Sequence, residues 1–325
     1  MISRRETIAA LLAAAALAPT RLFAQTPPKM LRMGSASLNS STMPIVLAFK
    51  KRMAELGYEE GKTFVWDFVQ IKSLDELPSA YADLARRKVD IFLATGNELI
   101  LRAALTAAGN LPIVMVAIDY DPFEKGYVSS LARPGGNVTG LFVRQIELAA
   151  KRVELAREAL PKARVLGLWW DASSRDQTEA VATAARSLGF ELRLIEVTGP
   201  QPDYAEATLR MVEAPGEPVM IASSPVFFRD RAAIMPPLLV QRTPVIAPFR
   251  EFAELGALMS YGIDLAATHR DAADYVDRIA KGAKPAELPI EQPTHFDLAL
   301  NLKTAAQLGL AISPSLTARA DEVME

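Results

Sequence analysis

The feature that most constrains this chain is a rhythm that runs twice. Short apolar segments alternate with amphipathic ones, the series breaks at "LARPGGNVTGLFV" (131–143), and then it starts again. In the first series "LRMGSAS" (31–37), "KTFVWDFVQ" (62–70), "VDIFLAT" (89–95) and "PIVMVA" (112–117) read as strands. Helical spacing fills the gaps at 44–56, 77–88 and 97–108, the first of these opened by Pro44 and stopped by Gly57. In the second series "RVLGLWW" (164–170), "FELRLIEV" (190–197), "PVMIAS" (218–223) and "TPVIAP" (243–248) alternate with helical stretches at 145–160, 174–189, 203–213 and 230–241. Near-continuous apolar strands are expected where helices cover both faces of a sheet, and strand–helix alternation implies parallel strands joined by right-handed crossovers. The expected fold class is α/β, with two Rossmann-like doubly wound lobes.

Length agrees: 325 residues, 50% of them hydrophobic, suit two domains of roughly 100–200 residues each. The tail is too brief for a third. "ALMSYG" (257–262), a helix at 264–281, "LPIEQPTHFDLALN" (288–301) and a last helix most simply complete the two lobes, so the chain must cross between them again. This predicts a first lobe of 30–142 plus 258–284 and a second of 143–257 plus 285–325. In that layout "NVTGLFV" (137–143) is the first crossing strand, Gly140 is a hinge candidate, and later crossings fall near 249–262 and 285–293.

Composition excludes several function classes. A net charge of −2 argues against nucleic acid as the main partner. The absence of cysteine removes disulfides, thiolate nucleophiles, Cys-based metal sites and a lipidated N-terminal Cys. The N-terminus has a basic start (Arg4, Arg5), an apolar run at 8–18 and Pro19. That run is shorter than the roughly 20 residues a bilayer span needs, and the order fits a signal peptide over 1–24, either Sec-type or, from the paired arginines, twin-arginine. The expected location is the periplasm, after removal of that segment and without a lipid anchor.

Catalytic motifs fail on inspection. "GYEEGKT" (57–63) has three residues between its glycines instead of the four of a P-loop, and it precedes a strand. G-x-G-x-x-G and G-x-S-x-G do not occur. The two histidines, His269 and His295, are expected in a surface helix and at a strand edge, without metal-ligand spacing. No catalytic set, metal site or cofactor is predicted.

Open α/β sheets bind ligands outside the carboxyl ends of their strands, which selects the loops to inspect. The first offers Ser35, Ser37, Asn39, Ser40, Ser41 and Thr42 ahead of a helix, where hydroxyls and free N–H groups suit an anion or simple capping. The next candidates are Thr95, Gly96 and Asn97, then Asp119, Tyr120 and Asp121; the two acids read equally as ammonium partners or as turn residues before Pro122. The second series contributes Asp171, Ser173, Ser174, Ser223 and Ser224, with Tyr261 at the end of a late strand. Of Trp169 and Trp170, on opposite faces of one strand, at most one can point into a cleft.

At these residues the chain resembles a known family. "LARPGGNVTGL", "REFAELGALMSYG", "YVDRIAKGAKPAELPIEQPTHFDLALNLKTAAQLGL" and "PSLTARADEVME" are similar to ABC-transporter substrate-binding proteins of the tryptophan/aromatic amino-acid-type group, in the same order and over roughly 30–325. The resemblance implies a periplasmic-binding-protein type I fold, with two lobes joined by three crossing strands and a ligand cleft between the strand-end loops named above. It implies a solute receptor for an ABC permease, binding an amino acid or related carboxylate by hinge closure, without catalysis and as a monomer. A ligand-sensing module for a membrane receptor is the alternative, and an exported α/β enzyme a weaker one. The chain departs from the family pattern at "DASSR" (171–175), where relatives often have "NPANP", at "LNSST" (38–42), where many carry a His-Pro step, and at Ser224-Pro225, where relatives carry Asp-Pro. The last change removes a candidate ammonium partner.

Overall fold

The first strand sets the plan. In β1 (Leu31–Ser37) nearly every residue is buried, so helices must cover both faces. The structure is a computed structural model that describes residues 30–199, 201–211 and 216–325; the expected signal peptide lies outside the described residues. Around β1 the chain places α1 (Pro44–Glu55), β2 (Phe64–Gln70), α2 (Leu77–Arg86), β3 (Ile91–Gly96), α3 (Glu98–Ala108), β4 (Ile113–Ala117) and β5 (Val138–Phe142). The five strands form a parallel sheet in the order β2-β1-β3-β4-β5. α1 begins at Pro44, as expected, and buries Ile45, Val46, Phe49 and Met53 along one stripe.

The chain continues through α4 (Gln145–Ala159), β6 (Val165–Trp170), α5 (Asp176–Ser187), β7 (Glu191–Glu196), α6 (Tyr204–Met211), β8 (Val219–Ile221), α7 (Pro225–Val240), β9 (Val245–Ala247), α8 (Arg250–Ala253) and β10 (Met259–Gly262). It ends with α9 (Leu265–Ala280), β11 (Asp297–Asn301), α10 (Leu302–Leu308), α11 (Pro314–Ala318) and β12 (Glu322–Met324). The second sheet runs β12-β11-β10-β9-β8-β6-β7, parallel except where β10 meets β11.

The predicted lobe boundaries need correction at the tail. β10 pairs with β9 and β11, so it belongs to the second sheet and not to the first lobe. The chain then returns: α9 packs on α1, β4 and β5 of the first lobe. The segment after α9 also stays with the first lobe for a few residues. Thr139 Oγ1 donates to Leu288 O at 2.8 Å, and Glu291 exchanges backbone bonds with β5 at Gly140 O (3.0 Å) and Phe142 N (2.9 Å). The chain therefore passes between lobes at 143–144 and 263–264, each just beyond a paired strand, and at 292–296, just beyond the single bridge of Glu291 to Leu141.

Gly140 is not a hinge. It sits inside β5, paired with Met115, at φ +133°, and a Cβ there would lie 2.1 Å from Met115 O. The glycine is required by the close approach of two strands, not by rotation.

One apolar layer lies between the first sheet and α1/α9 and runs on without a break into the layer between the second sheet and α6/α7. The other face of each sheet has its own core, under α2/α3 and under α4/α5. The carboxyl ends of both parallel sheets meet across a cleft.

Candidate functional site

Two connected spaces occupy that cleft. The inner one is small, about 50 Å³, and is lined from the first lobe by Ser37, Asn39, Thr95, Gly96 and Asp119 and from the second by Ser223, Ser224 and Phe228. Its mouth is a groove of about 660 Å³ that shares Leu38 and Asp119 with it and adds Asn97, Asp171 and Ser173. The lobes touch around both spaces. Arg229 Nη1 donates to Lys72 O at 3.2 Å, Lys125 Nζ lies 3.8 Å from Asp176 Oδ2, and Gly96 packs against Pro225. This is a closed arrangement, held by direct contacts between the two lobes.

Local chemistry explains how the strand-end loops are held. Asp171 Oδ1 accepts from Ser173 N (3.0 Å), Ser173 Oγ (2.7 Å) and Ser174 Oγ (2.9 Å), while Oδ2 accepts from Ser224 Oγ at 2.5 Å. Ser224 Oγ in turn caps α7 at Val226 N and Phe227 N. Asp171 thus stands at hydrogen-bond distance from Ser224, with its carboxylate engaged by Ser173, Ser174 and Ser224. Gln177 of α5 clamps the same loop, accepting from Ser223 N and donating to Ser223 O. Asn97 caps α3 through Oδ1, which accepts from Ile100 N.

Three polar atoms of this region are buried without a partner among the described residues: Asn39 Oδ1, Asn97 Nδ2 and Asp119 Oδ1. Asn39 Oδ1 accepts and Asn97 Nδ2 donates, while the Asp119 carboxyl accepts when ionised and can donate when protonated. Burial pushes the Asp119 carboxyl up to about 8; the nearby Asp171 and Asp176 add to this, while Ser223, bonded across the cleft, and the cationic Arg152 oppose it. Arg152 rises from α4, fully buried. Its Nε donates to Tyr261 O at 2.8 Å and its Nη2 to Gln145 Oε1 at 2.5 Å, so it ties the first and second crossings together. Burial lowers its pKa from the ordinary arginine value, and the Asp119 carboxyl partly offsets this.

Of the residues singled out in the sequence, the cleft brings together Ser37, Asn39, Thr95, Gly96, Asn97, Asp119, Asp171, Ser173, Ser223 and Ser224. The others are elsewhere. Ser35 lies under the sheet end, accepting from Trp66 Nε1. Ser40 and Thr42 bond each other in an exposed turn with Ser41 between them, and α1 has no side-chain cap. Tyr120 is buried in the α2/α3 core beside Tyr127, and Asp121 accepts from Phe123 N and Glu124 N as a turn residue. Ser174 is consumed in holding Asp171. The Tyr261 ring packs on Phe296. Trp169 stacks on Tyr204 in the core, and Trp170 carries Arg175 over its ring; neither lines the cleft.

His269, expected on a surface helix, belongs instead to the cavity wall. It is 5% exposed and lines the inner cavity with Ile45, Leu265, Phe228 and Phe249. The signal for it lay in α9's capping residue, Asp264, which starts the helix so that Leu265 and His269 share its inward face. The other histidine lies on a separate groove of about 630 Å³, where ligand atoms of His295, Asp297 and Asp321 come within 4.8 Å of one another.

A family model described as ABC transporter substrate binding protein matches residues 39–324. The chain belongs to that family. Among curated relatives, a tyrosine-binding protein of Clostridioides difficile is 24% identical over 271 residues, covering 81% of this chain and 75% of that protein. Two solved structures share the fold. A domain from Streptococcus pneumonia, in complex with L-Trp, superposes with a TM-score of 0.79 at 22% identity, over 91% of this chain and 100% of its own. A conserved domain protein from Vibrio cholerae does so with 0.80 at 23% identity, again over 91% and 100%. The fold of this substrate-binding protein is therefore the two-lobed, periplasmic-binding-protein type I arrangement expected from the sequence.

Proposed function

We propose that this chain is the solute receptor of an ABC importer and that its ligand is a small zwitterion, an amino acid with an apolar side chain. One observation carries the reading: a buried carboxylate oxygen, Asp119 Oδ1, and a buried amide donor, Asn97 Nδ2, stand unpartnered at the same inter-lobe cleft. An α-amino acid presents an ammonium for the first and a carboxylate for the second. Asn39 Oδ1 supplies a second acceptor from the first lobe. Apolar lining from Ile45, Ile100, Phe228, Phe249 and Leu265 suits an apolar side chain. The relatives that bind tyrosine and tryptophan have ligands of this form.

In this reading the open protein exposes both strand-end rims. The ligand docks, the lobes rotate about the crossings at 143–144, 263–264 and 292–296, and closure buries it. The ligand favours the closed form only to the extent that it binds that form more tightly. The permease then recognises the closed pair of lobes. Export fits the N-terminal basic-apolar-polar order, and among the described residues no helix is long and apolar enough to cross a membrane.

The test is a thermal-shift panel on the mature chain against the natural amino acids and small organic acids. A ligand present at 100 times its Kd adds about 2.7 kcal/mol of stability. We expect stabilisation by an apolar or aromatic amino acid and none by its decarboxylated or N-acetylated form. Equal stabilisation by those blocked forms would remove the zwitterion reading.

A further inference from the structure

The cleft has two chemically distinct ends. Asp119, Asn97 and Asn39 make one end polar. At the other, Ile45 of α1, Leu265 of α9 and the edge-to-face pair Phe228–Phe249 (5.5 Å, 83°) form apolar walls. A single polar group interrupts those walls, and it is His269. Its Nδ1 lies 2.7 Å from Leu265 O. A carbonyl oxygen only accepts, so Nδ1 carries the proton and Nε2 holds the lone pair. Among the described residues Nε2 has no hydrogen-bond partner, and the residue lines the cavity. The ring therefore offers one fixed acceptor within an otherwise apolar compartment. Held by its own helix, it cannot turn over to offer a donor without breaking the Leu265 bond.

We propose that His269 is a specificity-determining residue: its Nε2 accepts a hydrogen bond from an N–H or O–H borne by a flat, mainly apolar ligand side chain seated against Ile45, Leu265, Phe228 and Phe249. This rests on the amino-acid reading above and narrows it to side chains that combine an aromatic or similarly flat body with a donor. A side chain of the same shape without a donor covers this acceptor without pairing it, which is the more effective form of discrimination.

The experiment is isothermal titration of L-tryptophan against 1-methyl-L-tryptophan, and of L-tyrosine against L-phenylalanine, with wild type, His269→Phe and His269→Gln. In wild type the donor-bearing member of at least one pair binds about tenfold more tightly than its donor-less partner, the effect of one buried hydrogen bond. His269→Phe brings that ratio close to one while donor-less ligands still bind, and His269→Gln, whose amide oxygen accepts, recovers part of it. Ligands that bind with the same ratio in wild type and His269→Phe overturn the role of His269 and leave the amino-acid reading standing. Failure of all four ligands to bind wild type overturns both. If His269→Phe does not fold, ¹⁵N spectra of the wild-type imidazole decide: the Nε2 resonance must move with the donor-bearing ligand and not with its partner, and equal movement refutes the proposal.

Discussion

Replacing Asp119 with asparagine separates two effects that a simple loss of contact would not. In the closed protein this carboxyl is 7% exposed and burial raises its pKa to about 8, against about 3.9 in an unfolded chain. The folded value is the higher one. The carboxyl's contribution to stability is therefore fully present below pH 4, is lost as pH rises from about 4 to about 8, and is flat above that. At pH 7 the gap of about 3 units corresponds to about 4 kcal/mol, an upper bound because opening of the lobes re-exposes the group and relieves the cost. Asparagine has no such cost. The ligand-free Asp119→Asn protein should therefore match wild type in thermal stability near pH 4 and exceed it increasingly toward pH 8. Binding should change in the other direction. Losing a charged hydrogen-bond partner for an ammonium costs about 1.5–3 kcal/mol, or roughly 10- to 150-fold in affinity. The assay is a melting series from pH 4 to 9 without ligand, plus titration at pH 7 with the amino acid that stabilises wild type most. A stability difference that does not grow with pH refutes the burial argument. Unchanged affinity refutes the ammonium assignment.

Three further outcomes follow from the geometry. Gly140→Ala should destabilise the first lobe by several kcal/mol, read as a lowered denaturation midpoint, because the new Cβ meets Met115 O at 2.1 Å and φ is +133°. A variant that melts like wild type would show that β4 and β5 are not so closely paired. Ser224→Ala removes the α7 cap and the Asp171 bond together, so urea unfolding should report a loss of about 1–2 kcal/mol, with weaker ligand binding as the Ser223–Ser224 loop loosens. Lys125→Glu puts a third acid beside Glu98 and Asp176 at the cleft mouth. It should weaken ligand binding a few-fold at low salt and little at high salt, with the melting temperature of the free protein nearly unchanged.

Much of the fold could be read from local patterns. Buried parallel strands are apolar on both faces, as in 89–95 and 112–117, and helix starts are marked in the sequence by a first-turn proline at Pro44 and by capping side chains at Asn97 and Asp264. The tail could not be read in the same way. β10 joins the second sheet through pairing with β9 and β11, and that long-range pairing leaves no local mark. Gly140 shows the limit at the level of one residue. A glycine in a strand signals either freedom or close approach, and only the neighbour's position decides between them. The polar loops divided on the same principle. Asp119 and Asp121 look alike in "IDYDP", yet one points into the cleft and the other closes a turn on Phe123 and Glu124. The burial of His269 comes from long-range packing, because α9 crosses back to cover the first sheet beside the cavity.

The unpartnered atoms also bear on how closure depends on ligand. Asn39 Oδ1, Asn97 Nδ2 and Asp119 Oδ1 are buried without protein partners among the described residues, and in the proposed open form water would reach them. Each buried, unsatisfied polar group costs about 1–3 kcal/mol, so the three together oppose closure without ligand by several kcal/mol. The apolar walls act in the opposite sense. Phe228 and Phe249 continue the core layer that runs from one lobe to the other, and burying them favours closure whatever the cleft contains. The balance of the two terms decides selectivity. A purely apolar solute satisfies the walls and leaves the polar cost in place, while a simple anion satisfies Asn97 and is repelled by Asp119 once that group ionises. Only a ligand that carries an ammonium, a carboxylate and an apolar body removes the opposing term and keeps the favourable one. A shift from 1:99 to 99:1 needs about 5.5 kcal/mol of differential binding, which three paired polar groups supply within their stated range. The cleft therefore selects by the cost of closing on the wrong ligand as much as by contact with the right one.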